Sequence, residues 1–280
     1  MRVLVIPSWY PDKKGTSNKY GQWGGSFFKN QCIALKSYGV DIQVFYIKIH
    51  SLRKFSMNKF FDFSFTTEEG VRTVRFDTFN LTPSFSYGFI FQYKLYTFLL
   101  VRWCLWRGYI KKPDLIHSHA ALFGGIVSKI LSVYFKCDLI LTEHVKQPPN
   151  GLLKSEKSLY FKIIKYAKLI ISPSNHLSNF LIKNYFVPEE KIKVIPNMIP
   201  LEFENQKKSS VKESKFTFIF VGLLIPLKRP DDLIRSFANL KKIKPNCRLI
   251  ICGDGEMQPM LKNMAKELQL KLRNDLEFKG

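Results

Sequence analysis

The chain has 280 residues, 46% hydrophobic and 15% aromatic, a composition that excludes intrinsic disorder and allows one large or two small domains. Its formal net charge is +22, concentrated in residues 1–200, which predicts an anionic partner: a membrane leaflet, a nucleic acid or a phosphorylated substrate. A general richness in lysine would explain the same charge without any partner. The five cysteines have no CxxC or metal-type spacing, which indicates buried thiols in a reducing compartment.

The chain opens on a continuous apolar run, Val3–Ile6, which predicts a central parallel strand and leaves no room for a signal peptide. A polar loop containing Gly24-Gly25 follows, and then a helix with Ser26 as its N-cap and Gly39 as its C-terminal stop. Adjacent glycines let a backbone approach a ligand closely, although the pattern is not the GxGxxG of dinucleotide sites. No stretch of 18 residues lacks charge, so no membrane-spanning helix is predicted.

The next segment combines strands with an aromatic helix. Asp41–Ile47 predicts a strand, residues 50–70 show no clean period, and the alternation of Val71–Phe76 predicts an edge strand. Tyr87–Lys111 predicts a helix in which aromatic rings alternate with cations. Such a helix suits the headgroup boundary of an anionic leaflet, and it equally suits a core helix whose cations extend to solvent.

The remainder of the first half alternates strands and helices. The predicted elements are strand Asp114–His117, helix Ala120–Phe135, strand Asp138–Leu141, helix Ser155–Ala167, strand Leu169–Ser172, a helix capped by Pro173–Asn175 and ending at Asn184, and strand Lys193–Ile195. Residues 201–214 read as a polar linker. We therefore predict an α/β protein with one domain at 1–200 and a second beginning at 215.

Polar side chains cluster where the predicted strands end. Ligands of open parallel sheets bind beyond the carboxyl ends of the strands. That rule places the following residues at one rim: Gly24, Gly25, His117, His119, Glu143 and His144. A single histidine at a strand end is more often structural, but three of them predict a functional role for at least one. Histidine titrates near neutral pH and can donate to a developing negative charge or to a sugar hydroxyl. No triad or metal-ligand spacing is present, so we expect no metal.

The second domain opens with a strand, Phe216–Val221, then a loop carrying Lys228 and Arg229, then a helix starting at Pro230. The free backbone N–H groups and the positive end of such a helix favour an anion. The loop therefore predicts a phosphate-bearing ligand. The alternative is an ordinary crossover with two solvated cations.

An ordered set of short motifs carries a family resemblance. The motifs are Trp9-Tyr10-Pro11, Gly24-Gly25, Gln31, Pro113–His119, Thr142-Glu143-His144, Ile171–Asn175, Val194–Asn197, Val221-Gly222 with Lys228, Ile251–Glu256 and Phe278–Gly280. With them the chain resembles a family 4 glycosyltransferase of the GT-B fold along its whole length. The resemblance implies two Rossmann-like domains with parallel sheets facing a cleft, the first on the acceptor side and the second, 215–280, binding the nucleotide-sugar and incomplete.

The resemblance also implies roles for individual residues. His144 matches the histidine beside the transferred sugar, and Lys228 matches the lysine that neutralises the diphosphate leaving group, so both are expected to be catalytic. The residues expected at the donor are Gly24, Gly25, Gly222, Lys228, Arg229, Asn197, Gly253 and Gly255. Those expected on the acceptor side are His117, His119 and Glu143. The reaction would retain the anomeric configuration without a metal or other cofactor.

Two departures from the family pattern stand out. Leu223 occupies the position where the family usually has arginine, a role that Arg229 could take over. The family also continues beyond Gly280 with a Glu-x7-Glu motif, so we expect a chain truncated within the donor domain, weak or inactive in transfer alone. We also expect the apolar side of strand Leu276–Lys279 to be exposed.

The predicted function is transfer of a sugar from a UDP- or GDP-linked donor to a cell-surface polysaccharide or a lipid-linked glycan. The basic first half and the aromatic helix would dock a cytoplasmic protein on the anionic inner face of the plasma membrane. The alternative is a non-catalytic remnant, or a subunit of a split enzyme, that binds an acceptor or partner. Nucleic-acid binding is supported by charge alone and is not expected, because no recognisable module is present.

Overall fold

The computed structural model describes residues 1–10, 26–50, 61–82, 87–144, 154–198 and 215–279. The chain divides into two compact units, Met1–Asn205 and Gln206–Gly280. Each unit has its own hydrophobic core and is described by itself.

Unit 1 alternates strands and helices in chain order. The elements are β1 (Arg2–Pro7), α1 (Ser26–Ser37), β2 (Asp41–His50), β3 (Phe61–Glu68), β4 (Val71–Phe79), α2 (Tyr87–Trp106), β5 (Leu115–His119), α3 (Gly124–Phe135), β6 (Asp138–Thr142), α4 (Lys154–Tyr166), β7 (Leu169–Ser172), α5 (Asn175–Tyr185) and β8 (Ile192–Val194). In the described part of the chain these strands form one sheet in the order β3-β4-β2-β1-β5-β6-β7-β8. Neighbouring strands are parallel except for β3 and β4. The predicted α/β class is confirmed.

The β3–β4 hairpin corrects two expectations. Residues 61–68, which lie in the stretch without a clean period, form a strand that pairs antiparallel with β4. The prediction of an edge position for Val71–Phe76 is therefore wrong, since β4 lies between β3 and β2. Glu69 and Gly70 both have positive φ, 51° and 78°, as a two-residue hairpin turn requires. Phe63 anchors the added strand by packing its ring on Phe76 at 5.0 Å.

Two helix boundaries differ from the sequence-based expectation. Helix α2 ends at Trp106 rather than Lys111, because Gly108 adopts φ 73° and its N–H bonds the carbonyl oxygen of Leu105. Helix α3 begins at Gly124 rather than Ala120, because Ala120 and Phe123 have φ values of 64° and 55° that a helix does not contain. The freed segment becomes the turn that follows β5.

Unit 2 is smaller, and its described residues combine a parallel sheet with two α-helices. Its elements are β9 (Phe216–Val221), α6 (Pro230–Ile243), β10 (Cys247–Cys252), α7 (Gln258–Glu267) and β11 (Leu276–Lys279). The described strands are parallel in the order β11-β10-β9. Side chains of α6 and α7 pack on the central strand, and the core includes Leu224, Ile234, Leu249 and Leu261.

Of the two outer strands in the described sheet of unit 2, β9 exposes its apolar side chains and β11 does not, contrary to expectation. Leu276 of β11 is buried in the core, where Leu261 and Ala265 of α7 also lie. On β9, by contrast, Ile219 and Val221 are exposed. Both β9 and β11 are outer strands of this sheet, so the difference lies in the cover that α7 gives to Leu276 in the core.

All five cysteines are free thiols. Three of them, Cys32, Cys104 and Cys247, are buried, whereas Cys137 and Cys252 are partly exposed. Burial raises the pKa of the Cys32 thiol to about 12, so that group is inert at neutral pH. None of the helices in the described ranges has the length and hydropathy that crossing a bilayer requires.

Candidate active site

Three histidines from two neighbouring strands meet in unit 1. His117 and His119 end β5, and His144 follows β6, which pairs with β5. The rings of His117 and His119 lie 4.4 Å apart, and Nδ1 of His119 lies 3.4 Å from Nε2 of His144. His117 is fixed from its other side by a 2.7 Å hydrogen bond between Nε2 and Oγ1 of Thr142. The structure therefore brings together the histidines predicted from the strand ends.

The three imidazoles are neutral at physiological pH. Burial lowers the pKa of His117 to about 4, and burial also lowers the pKa of His144 to about 4. The pKa of His119 lies well below its usual value because of burial and because its neighbours would repel a second positive charge. Each neutral ring offers one N–H donor and one lone pair, a combination that suits sugar hydroxyl groups.

An aromatic wall surrounds His144. Its ring centroid lies 6.0 Å from that of Trp9, 5.0 Å from that of Phe27 and 5.1 Å from that of Phe28. Phe28 also packs on His119 at 4.3 Å. Sequence reasoning missed this wall, although its members follow β1 and open α1, at the rim where the histidines were predicted.

Glu143 bonds the backbone at the ends of both histidine-bearing strands, β5 and β6. Its side chain is fully buried, Oε2 accepts the N–H of Ala121 at 2.9 Å, and Oε1 accepts the N–H of His144 at 2.8 Å. Tyr160 lies nearby, and its pKa is raised by burial and by the negative charge of Glu143. Glu143 binds backbone N–H groups on both sides of the histidine pair, and its predicted place on the acceptor side stays a prediction.

Ser8 joins the end of β1 to the same turn. Its hydroxyl lies 2.8 Å from the carbonyl oxygen of His119 and accepts the N–H of Gly124 at 3.0 Å. At Gly124 a Cβ atom would lie 2.9 Å from the carbonyl oxygen of Ile6, so a side chain is excluded there. Gly124 therefore serves the close packing of the start of α3 on the end of β1.

In unit 2 the predicted glycines join two loops at the carboxyl ends of β9 and β10. A Cβ at Gly253 would lie 2.0 Å from the carbonyl oxygen of Gly222, and one at Gly255 would lie 2.3 Å from that of Leu224. Gly253 also adopts φ 146°, which side-chain-bearing residues rarely do. Packing alone explains glycine at 253 and 255, and their predicted contact with a donor stays a prediction.

The two cations of the unit 2 loop have different surroundings. Lys228 ends a 3-10 turn, Pro226–Lys228, and is exposed. Arg229 is paired, its guanidinium lying 2.7 Å from Asp232 and 3.5 Å from Asp231 in the first turn of α6. Those carboxylates also offset much of the positive potential at the N-terminus of α6. Among the two, Lys228 is the cation available to a ligand.

The other predicted residues lie elsewhere. Asn197 is exposed in the segment after β8, and β7 separates that strand from β6. Gly24 and Gly25 lie outside the described residues. Within the described ranges no group of three His, Cys, Asp or Glu side chains could hold a metal ion.

Comparison with known families gives two adjoining matches. The model described as Glycosyltransferase Family 4 matches residues 29–203, and that described as Glycosyl transferases group 1 matches residues 202–280. The first match alone covers more than half of the chain.

Curated relatives agree with these matches. An uncharacterized glycosyltransferase of Methanocaldococcus jannaschii is 31% identical over 180 residues, 57% of this chain and 44% of the relative. A Campylobacter jejuni protein, N-acetylgalactosamine-N,N'-diacetylbacillosaminyl-diphospho-undecaprenol 4-alpha-N-acetylgalactosaminyltransferase, is 29% identical over 164 residues, 58% of this chain and 43% of the relative. The matches thus span less than half the length of these relatives.

Solved structures share the fold. Anabaena Alr3699/HepE in complex with UDP has a TM-score of 0.64 at 17% identity, covering 99% of this chain and 68% of that one. At this identity the likeness concerns the fold alone, which is that of the GT-B glycosyltransferases.

Proposed function

The chain belongs to Glycosyltransferase Family 4, and from that membership we propose that it transfers a sugar from a nucleotide-sugar donor to a glycan or lipid-linked acceptor. The transfer retains the anomeric configuration and uses no metal. The observation that carries the assignment of the site is the pair of neutral imidazoles, His119 and His144, at the carboxyl ends of β5 and β6.

The histidine pair supplies hydrogen bonds beside the transferred sugar. His144 is the less buried of the two and stands within the aromatic wall, so it is the ring that a sugar meets. A neutral imidazole can donate a hydrogen bond to a sugar hydroxyl group. Because it carries no positive charge, it does not compete with Lys228 for the leaving diphosphate. Glu143 holds the backbone of His144 in place, and His117 supports His119 from behind.

Lys228 stabilises the departing nucleoside diphosphate. Negative charge develops on the leaving group as the glycosidic bond breaks, and a fixed cation with backbone N–H groups stabilises it. Lys228 is exposed, whereas Arg229 is engaged by Asp231 and Asp232. The other donor contacts of this proposal are those of the resemblance: Gly24, Gly25, Gly222, Asn197, Gly253 and Gly255. The name of the Anabaena structure, which contains UDP, supports a UDP-linked donor.

The acceptor is lipid-linked in this proposal. The Campylobacter jejuni relative is named for an acceptor carried on diphospho-undecaprenol, and that name is the support for the acceptor class. A lipid-linked acceptor places the reaction at a membrane surface, so the protein would work at the inner face of the plasma membrane. The charge of +22 agrees with an anionic surface.

A donor screen tests the proposal. The protein is incubated with UDP- and GDP-linked sugars, with and without an undecaprenyl-diphosphate-linked saccharide, and released nucleotide is measured. Release that requires both substrates supports transfer. Nucleotide binding without release would favour the non-catalytic subunit. Absence of both binding and release would reject the proposal.

A further inference from the structure

Helix α2 has an exposed apolar face opposite its buried one. The buried face consists of Tyr93, Thr97, Val101 and Cys104. The exposed fractions on the other side are 68% for Phe91, 42% for Leu95, 53% for Leu99 and 78% for Trp106. These four residues, here called the α2 stripe, recur at helical spacing along about 22 Å of the helix axis.

The α2 stripe is unusual for a surface helix in water. Surface helices of globular proteins carry polar residues on the side facing solvent, whereas α2 is apolar on nearly all sides. Helix α3 extends the same surface, because Tyr134 packs edge-to-face on Phe98 at 5.6 Å and Val133 and Tyr134 are themselves exposed. Continuous apolar surface of this kind marks an interaction site rather than scattered exposed side chains.

The charged side chains of α2 and α3 are all positive. Neither α2 nor α3 contains an aspartate or a glutamate. Lys94 and Arg102 are exposed on α2, and Arg107 follows it directly. The guanidinium of Arg102 lies 5.6 Å from the ring of Phe98, and that of Arg107 lies 5.7 Å from the ring of Trp106. Cations therefore lie next to the apolar rings.

We propose that the α2 stripe, with Lys94 and Arg102, docks unit 1 on an anionic lipid bilayer. The apolar side chains enter the boundary between headgroups and acyl chains, while the cations contact phosphate groups. The positive charge on both helices opposes pairing of two copies through this face. The inference deepens the proposed function, because it names the surface by which the enzyme reaches a lipid-linked acceptor.

Sedimentation with vesicles tests the docking surface without requiring catalysis. The protein is mixed with vesicles of phosphatidylcholine alone or with phosphatidylglycerol added. We expect binding to the anionic vesicles that weakens at high ionic strength. The double variant Phe91→Ser with Leu99→Ser should bind about tenfold less tightly or worse. The double variant Lys94→Gln with Arg102→Gln should bind anionic vesicles less tightly, while its binding to phosphatidylcholine vesicles should not change.

The control is Tyr38→Ser, since Tyr38 is an exposed aromatic residue of unit 1 outside α2 and α3. All variants are compared by thermal unfolding, and because the altered side chains are exposed they should fold like the wild type. Failure of the wild type to bind anionic vesicles, or equal binding by the Phe91→Ser and Leu99→Ser variant, would overturn the docking surface. If the wild type formed a concentration-dependent dimer and the Phe91→Ser and Leu99→Ser double variant were monomeric, the stripe would bind a second copy of the chain instead.

The two proposals can fail separately. Vesicle binding by a protein that transfers no sugar would leave the docking surface standing and reject the proposed function. Transfer to a short-chain, water-soluble analogue of the lipid-linked acceptor, by a protein that does not bind vesicles, would support the proposed function and reject the docking surface. Fluorescence of Trp106, assigned by comparison with Trp106→Phe, should be quenched by lipids brominated near the headgroup if the stripe inserts.

Discussion

Nδ1 of His119, at the end of β5, lies 3.4 Å from Nε2 of His144, which follows β6, and neither ring is charged at neutral pH. Nε2 of His119 has no hydrogen-bond partner among the described residues. A proton on Nδ1 of His119 avoids leaving a buried N–H without an acceptor, so His144 accepts at Nε2 and carries its own proton on Nδ1. The Nδ1–H group of His144 is therefore the donor that it offers to a substrate.

Replacing His144 tests its role in transfer. His144→Ala should lower the rate of transfer by about a hundredfold, because a hydrogen bond to the reacting sugar is lost in the transition state. Nucleotide affinity should stay the same. His176→Ala is the matched control, since His176 is exposed on α5, away from the strand ends. Equal turnover in the two variants would reject the role of His144.

Replacing Lys228 tests the diphosphate site. Lys228→Ala should weaken UDP binding about tenfold, measured by calorimetry, because one charge-assisted contact to the diphosphate is removed. Lys242→Ala, an exposed lysine in the last turn of α6, should bind UDP like the wild type. Intact UDP affinity in the Lys228 variant would move the diphosphate site elsewhere.

The Glu143 carboxylate should be required for the geometry of the histidine pair. A glutamine at this position can accept only one of the two N–H groups that Glu143 accepts, so Glu143→Gln leaves a buried donor unpaired. The free energy of unfolding should fall by about 1–3 kcal/mol. Hydrogen exchange at Ala121 and His144 should also accelerate. The exposed Glu190 supplies the control, and Glu190→Gln should change neither quantity.

Acidification should destabilise unit 1 through its buried imidazoles. The pKa of His117 is about 4 in the fold and returns to its ordinary value of 6.5 on unfolding, so the unfolded chain binds the extra proton between those values. The stabilisation is complete above pH 6.5 and is lost as the pH falls towards 4. Between pH 7 and pH 5 this loss is about 2 kcal/mol for His117.

Urea unfolding at pH 7 and pH 5 measures that loss. His117→Gln removes the titrating group while keeping an amide that can bond Thr142, so its stability should depend less on pH than that of the wild type. If the free energy of unfolding fell equally with pH in the wild type and in His117→Gln, His117 would not be held neutral by the fold.

Packing, rather than a ligand, should dominate the cost of changing Gly253. Gly253→Ala places a methyl group 2.0 Å from the carbonyl oxygen of Gly222 and forces φ 146° on alanine. Its cost in unfolding free energy should exceed that of Gly39→Ala, where φ is 82° and a Cβ has open space around it. The latter should cost about 1 kcal/mol. Similar losses for both would contradict the close packing of the two loops.

Local patterns in the sequence predicted much of this fold. The apolar runs predicted β1, β7 and β9 within a residue or two, and the N-cap Ser174 and the stop Gly39 set helix ends through hydrogen bonds formed within one turn. The strand-end rule also predicted that His117, His119 and His144 would gather. These features depend on backbone periodicity and on groups a few residues apart.

Local patterns therefore suffice to predict the α/β class, the alternation of elements and the approximate place of the histidine site. The pairing of β3 with β4, the two backbone N–H groups bound by Glu143, the pairing of Arg229 and the exposure of Phe91 and Trp106 on α2 could be read only from the folded chain. Each of these depends on which distant segments pack side by side. Hydrophobic periodicity shows that a side chain favours one face of an element, but not which neighbour covers that face or whether any neighbour does.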